Sequence, residues 1–311
     1  MYFYRYQIQI AIQQLWFWLN NMNFMNIQET IGNTPLIQVP VESQTSVVLA
    51  KCEGNNPGGS IKDRAALKMI NDAEERGQIR KGDTLIEATS GNTGIALSMV
   101  ASIKGYKIII IMPETVSSER IKTMKVYGAE VILVSKEEDM EGARDLATKM
   151  STLGEGLVLD QFSNPSNYMA HFETTGPEIW EQTEGKVTHF VSAMGTTGTI
   201  TGVSMFLKSK NKNIKIIGVQ PEDGSRIPGI RRWGQGYEPE IRKNAIIDDI
   251  IDINQLDAEK TSKELAEKNG IFCGVSAAAN INISRVIANR QSGAKVVTIL
   301  CDRGDRYLSK L

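Results

Sequence analysis

A lysine, a run of hydroxyl residues and two glycine-containing turns are the parts of this 311-residue chain best suited to chemistry. Lys62 closes the turn Glu53-Gly-Asn-Asn-Pro-Gly-Gly-Ser-Ile-Lys62, whose glycines, proline and asparagines deliver Ser60 as the expected N-cap of a helix. A lysine in the first turn of a helix is electrostatically misplaced, because the macrodipole favours anions there. Taken alone it reads as a solvated side chain beside Asp63, since most lysines are surface residues. Thr89-Ser-Gly-Asn-Thr93 gathers hydroxyls and backbone N–H groups between an apolar run and a following helix. That is the make-up of a carboxylate-sized anion site, and equally of an ordinary hydroxyl-rich helix cap. In Gly195-Thr-Thr-Gly-Thr199 the glycines allow close backbone approach, and amides and hydroxyls can cradle a phosphate. The loop lacks the Gly-Lys-Ser/Thr ending of a P-loop and the third glycine of a dinucleotide fingerprint, so a mononucleotide site or a plain tight turn are its alternatives. A fourth stretch, Cys273-Gly-Val-Ser276, precedes a helix that Ser276 is expected to cap. Two anion sites in one chain favour a ligand carrying both phosphate and carboxylate. In that company Lys62 gains a second reading, as nucleophile and base joined through a Schiff base to a phosphorylated aldehyde.

Elements of a definite kind must position these loops. Short runs rich in Ile and Val predict strands at Val47–Lys51, Thr84–Ala88, Lys107–Ile111, Val131–Ser135, His189–Ala193, Lys215–Val219 and Lys295–Leu300. Their near-continuous hydrophobicity is that of strands buried on both faces. Amphipathic stretches separate them. In Ser60–Gly77, Ala65, Ala66, Met69, Ile70 and Ala73 share one face, and Gly77 makes a stop. The alternation predicts an α/β protein of two open, mainly parallel-sheet domains. Gly154, Gly156 and the polar run Asp160–Asn167 interrupt the periodicity. The expected division is therefore 25–160, carrying Lys62 and the 89–93 loop, and 161–311, carrying the 195–199 loop and Ser276. Ligands of such sheets bind beyond the carboxyl ends of the strands.

The bulk composition narrows the field. With 41% hydrophobic and 23% charged residues the chain has the make-up of a soluble globular protein, and its net charge of -1 gives no reason to expect nucleic acid or an anionic membrane as partner. The three cysteines, Cys52, Cys273 and Cys301, form no CxxC, and His171 and His189 are too far apart for a local ligand pair. No metal is expected, and a reducing, cytoplasmic setting fits best. Residues 1–24 differ from the rest: Ile8–Leu19 is apolar and aromatic but interrupted by glutamines, with no small-residue cleavage site. They are expected to be an extension, with the natural start at Met25.

The four loops, in this order, resemble the fold-type II pyridoxal-phosphate enzymes of the cysteine synthase/cystathionine β-synthase family. The likeness runs from Ile31-Gly-Asn-Thr-Pro-Leu36 through Thr174-Thr-Gly-Pro-Glu-Ile-Trp180 and Gly229-Ile-Arg-Arg-Trp233 to Asp302-Arg-Gly-Asp-Arg-Tyr-Leu308. It implies pyridoxal 5′-phosphate as cofactor, with Lys62 as the Schiff-base lysine. Asn92 would hydrogen-bond the ring hydroxyl. Gly195, Thr196, Thr197, Gly198 and Thr199 would hold the phosphate, and Ser276 would face the pyridine nitrogen. Thr89, Ser90, Gly91, Thr93 and Gln161 would take the substrate carboxylate. A neutral serine at the ring nitrogen suits loss of a β leaving group over transamination. The implied reaction replaces the acetate of O-acetylserine with sulfide or thiosulfate, Lys62 serving as general base, in a cytoplasmic homodimer. Arg231, Arg232 and Arg303 would favour an anionic donor such as thiosulfate, or else are surface ion-pairing residues.

One departure stands out. The family's Ser-Gly after the pyridine-facing serine is Ala277-Ala278 here, followed by an unusual Asn280. Alanine costs roughly 1 kcal/mol if position 278 needs a positive φ, and helps slightly if it is helical. The competing readings are a serine or threonine dehydratase, a cystathionine β-synthase-like enzyme, and a non-catalytic binding protein of the same fold.

Overall fold

A computed structural model describes residues 25–234 and 238–310. The extension expected at 1–24 lies outside the described residues. Ten strands follow in order: β1 (Leu36–Val39), β2 (Val47–Cys52), β3 (Thr84–Ala88), β4 (Lys107–Pro113), β5 (Glu130–Val134), β6 (Leu157–Val158), β7 (His189–Ala193), β8 (Lys215–Pro221), β9 (Asp249–Ile253) and β10 (Lys295–Leu300). Every predicted strand is present. The four-stranded sheet has the order β5-β4-β3-β6 and the six-stranded sheet the order β1-β2-β10-β7-β8-β9. All neighbours are parallel except β1 against β2.

The division expected at residue 160 does not describe the sheets. Strand β2 pairs along its whole length with β10, from Val47 opposite Lys295 to Cys52 opposite Leu300. The segment before Lys62 therefore belongs to the sheet that also holds the 195–199 loop. The reason is burial: Val48 and Ala50 are wholly enclosed in a core shared with Val191, Val219 and Val296, which a separate N-terminal sheet would leave open.

The helices fit their surroundings. Helix Asn92–Lys104 is buried over Thr93–Ala101 and ends at Gly105, whose φ of 80° supplies the left-handed cap. The lack of a charged residue from Ile95 to Ala101 matches its place in the core of the small sheet. Helix Lys62–Glu75 packs against helix Asn92–Lys104 on one side and helix Pro165–Ala170 on the other. The latter runs through a π-helical turn, His171–Thr175, into helix Gly176–Gln182. Among the described residues no helix is long and apolar enough to cross a membrane.

Candidate active site

Four loops leave the carboxyl ends of parallel strands and meet. Strand β2 leads into residues 53–61, β3 into 89–91, β7 into 194–197 and β10 into the segment from Cys301. They enclose a cavity of about 960 Å³ lined by Lys62, by residues 89–93, Gln161 and 195–199, and by Ser276. Every residue expected to hold the cofactor or the substrate carboxylate thus lines one cavity, although the sequence separates the outermost by more than two hundred positions.

Lys62 opens its helix, with Ile61 rather than Ser60 at the cap. The Ser60 hydroxyl still accepts a hydrogen bond from the Lys62 N–H at 3.2 Å. Burial drives the Lys62 pKa down, and the neighbouring Cys301 and Asp302 oppose the shift. The amine is therefore more readily uncharged than a surface lysine.

The 89–93 loop is braced from the opposite lip. Thr93 donates its hydroxyl proton to the side-chain oxygen of Gln161 at 2.7 Å, and Asn167 donates to the Gln161 carbonyl at 2.6 Å. Buried Glu87 accepts from the Asp160 and Gln161 N–H groups at 3.0 and 3.3 Å, and burial raises its pKa to about 7. Asn92 is held at both ends of its amide. It donates to Asp302 at 2.7 Å and accepts from Arg306.

The 195–199 loop is built for close approach. A Cβ on Gly195 would collide with the Gly229 carbonyl, and one on Gly198 with the Asn167 amide. Thr197 adopts a left-handed φ of 68° as it caps helix Gly198–Lys210, an uncommon conformation for a β-branched residue that concentrates at ligand sites. Its buried hydroxyl has no hydrogen-bond partner among the described residues. An orphaned hydroxyl, two glycines with no room for a side chain and a helix N-terminus fit a phosphate. Trp233 donates its indole N–H to the Gly195 carbonyl at 2.9 Å.

Ser276 corrects an expectation. It is the second residue of helix Val275–Arg290, whose N-cap is Gly274 with no side-chain cap bond. The hydroxyl is thus free to face the cavity, beside the Cys301 thiol, which burial pushes up to about 12. Ala277 and Ala278 lie within the helix and neither has a positive φ, so alanine suits position 278. Asn280 is fully buried and donates to the Ile299 carbonyl at 2.9 Å.

The three arginines part company. Arg232 lines the cavity but is tied to Asp252 and to the Pro221 carbonyl, whereas Arg303 pairs with Asp305 at 3.5 Å away from the cavity lining. Arg231 lines the cavity, lies 5.6 Å from the Trp233 ring and has no ion-pair partner among the described residues. Sequence reasoning gave no role to Arg120, Asp302, Arg306 or Tyr307. All four stand around Asn92 and Ser90, and the last three fall in a stretch of family likeness. That was the available signal.

A family model for pyridoxal-phosphate dependent enzymes matches residues 27–302. The chain belongs to the pyridoxal-phosphate-dependent enzymes, in the cysteine synthase family, and pyridoxal 5′-phosphate is its cofactor. Cysteine synthase B of Salmonella typhimurium is 58% identical over 91% of this chain and 94% of its own length. Among solved structures, the cysteine synthase of Entamoeba histolytica superposes with a TM-score of 0.87 at 39% identity, covering 93% of this chain and 90% of that one. An O-acetylserine dependent cystathionine beta-synthase from Helicobacter pylori has a TM-score of 0.83 at 35% identity, covering 93% and 99%.

Proposed function

We propose that this enzyme replaces the acetate of O-acetyl-L-serine with sulfide or thiosulfate, giving L-cysteine or S-sulfocysteine. The observation that carries the reading is the convergence of Lys62, two anion-binding loops and a neutral serine on one cavity. The 58% identical relative is named for the same product. Bound pyridoxal phosphate supplies an electron-withdrawing ring conjugated to the nitrogen of the amino acid. Residues 195–199 bind its phosphate, Asn92 its ring oxygen and Ser276 its ring nitrogen. Thr89, Ser90, Gly91, Thr93 and Gln161 orient the substrate carboxylate. The Lys62 amine, whose pKa burial lowers, takes the proton from Cα. The acetate departs from Cβ with its bonding electron pair, the sulfur nucleophile forms the new bond there, and Lys62 returns the proton to Cα.

The fold alone does not choose the nucleophile, since a cystathionine beta-synthase shares it. Arg231 is the side chain that favours an anionic donor. We further infer a homodimer and a cytoplasmic setting, on the strength of the family resemblance and of three free thiols. Borohydride reduction followed by peptide mass analysis is expected to find the pyridoxyl group on Lys62, and product analysis to find cysteine from O-acetylserine and sulfide. Pyruvate as the main product would establish the dehydratase instead. Arg231→Met should lower kcat/KM for thiosulfate about tenfold or more while sparing sulfide. Equal losses for both donors would remove Arg231 from donor recognition.

A further inference from the structure

The segment after β10 ties together the loops that flank Lys62. Ile61 donates its N–H to the Cys301 carbonyl at 2.9 Å, and Ser60 bridges Asp302 in antiparallel fashion. Arg306 then reaches across the cavity wall, one guanidinium nitrogen donating to the Gly58 carbonyl and another to the side-chain oxygen of Asn92. Gly59 has a φ of 79°, and a Cβ there would collide with this guanidinium, so the turn before Lys62 is shaped around Arg306. On the other end of the Asn92 amide stands Asp302, which when ionised can only accept and which also receives the Tyr307 hydroxyl at 2.6 Å.

We propose that Arg306 is a positioning residue that sets the polarity of Asn92 towards the cofactor. A guanidinium can only donate, so it fixes the Asn92 oxygen on its own side, while Asp302 holds the nitrogen. One N–H of the Asn92 amide is left for the cavity. A ring oxygen placed beside it must accept, which favours the unprotonated form of that oxygen. Without Arg306 the amide can turn over and offer its oxygen, with buried Asp302, whose pKa burial raises, taking up a proton to donate to it, and the protonated form of the ring oxygen gains. The inference rests on the reading of Asn92 as the neighbour of the ring oxygen.

The test uses the holoenzyme. Arg306→Met is expected to raise the ratio of protonated to unprotonated cofactor absorbance forms at pH 7 by about tenfold. Cofactor release to a scavenging apoprotein should quicken by a similar factor. Arg306→Lys, which keeps a donor and the charge, should restore part of both, and it carries the same readouts if the methionine variant is too unstable to purify. In an Asn92→Ala background the Arg306 substitution should add nothing further, because its effect runs through that amide. Additive effects in the two backgrounds, or a lower melting temperature with unaltered spectrum and release, overturn the proposal. An Asn92→Ala protein with unaltered spectrum sinks both the proposal and the ring-oxygen reading. An altered Asn92→Ala with an unaltered Arg306→Met sinks only the positioning role.

Discussion

Two buried polar regions lie on either side of Lys62, and they are finished to different degrees. Behind it, Arg64 forks onto Glu53 with bonds of 2.8 Å and onto Glu178 with bonds of 2.6 and 2.8 Å. Lys51 pairs with Glu178 at 2.5 Å and donates to the Thr34 carbonyl at 2.6 Å, while Thr34 and Asn56 donate to Glu53 at 2.7 Å each. Burial alone would raise the Glu178 pKa, but the hydrogen bonds and charges of Arg64 and Lys51 outweigh it and bring it to about 2. In the cavity lining, Thr197 keeps a buried hydroxyl with no partner among the described residues, and behind it Asn280 and Asp302 each keep a buried oxygen in the same state. A buried polar group without a partner costs about 1–3 kcal/mol. The first region has the completeness of a structural joint, whereas the orphaned Thr197 hydroxyl lies where a ligand is to supply the missing partner.

The sharpest way to break this contrast is Arg64→Met. It leaves buried Glu53 without its cation and Glu178 with Lys51 alone, and should lower the unfolding free energy by about 3–5 kcal/mol in urea denaturation at pH 7. A loss under about 1 kcal/mol would show that the joint is not structural. Thr197→Val should act in the opposite sense, removing a hydroxyl that has no partner. The cofactor-free protein should gain about 1 kcal/mol while cofactor affinity falls about tenfold, as read by melting with and without pyridoxal phosphate. If the valine protein melts lower in both states, the hydroxyl is not waiting for a ligand.

Legibility in the sequence divides along the same line. The cavity side was readable because glycines, hydroxyls and a lysine punctuate the ends of apolar runs, and parallel sheets collect those ends on one side. The joint was not readable. Its members Lys51, Glu53, Arg64 and Glu178 look like ordinary solvated charges, and Glu178 is 114 residues from Arg64. The stretches Ile31–Leu36 and Thr174–Trp180 and the turn from Glu53 touched that region, but none of them pointed to an ion-pair network. Strands β1, β6 and β9 escaped notice as well. β6 has only two residues, and Asp249 and Asp252 break the apolar run of β9. Serine favours the N-cap, which makes Ser276 look like one in the sequence, whereas glycine at 274 fills that position.

A third test uses pH. Burial raises the Asp63 pKa from 3.8 to about 7, with the Gly58 N–H bond opposing. A carboxyl whose folded pKa is raised contributes stability that is whole below about pH 3.8 and declines as pH rises to about 7. Glu178 has the opposite sign: its contribution stands above pH 4.5 and is lost on acidification towards 2. Asp63→Asn should therefore remove Asp63's share of the decline between these limits, leaving that of Glu87, and leave the acid loss in place. Denaturation at several pH values measures both limbs. An unchanged slope between pH 4 and 7 would show that Asp63 is not a burdened carboxyl.

The smallest expected effect concerns the departure after Ser276. Because Ala278 is helical, Ala278→Gly should cost about 1 kcal/mol. A rise in melting temperature would return the position to the turn expected in the family.

The π-helical turn at His171–Thr175 has a consequence for how the enzyme keeps its cofactor. It leaves the His171 ring fully enclosed, with Nδ1 2.9 Å from the Thr175 hydroxyl and Nε2 3.4 Å from the hydroxyl of Thr199. Burial first, and then the charges of Lys62 and Arg64, hold its pKa well below the usual histidine range. The ring beside the 195–199 loop is thus a fixed dipole and not a titrating cation. Grip on a phosphate at that loop comes from oriented neutral groups, so cofactor retention should follow the ionisation of the phosphate itself and be indifferent to histidine protonation as acidity fluctuates around neutrality.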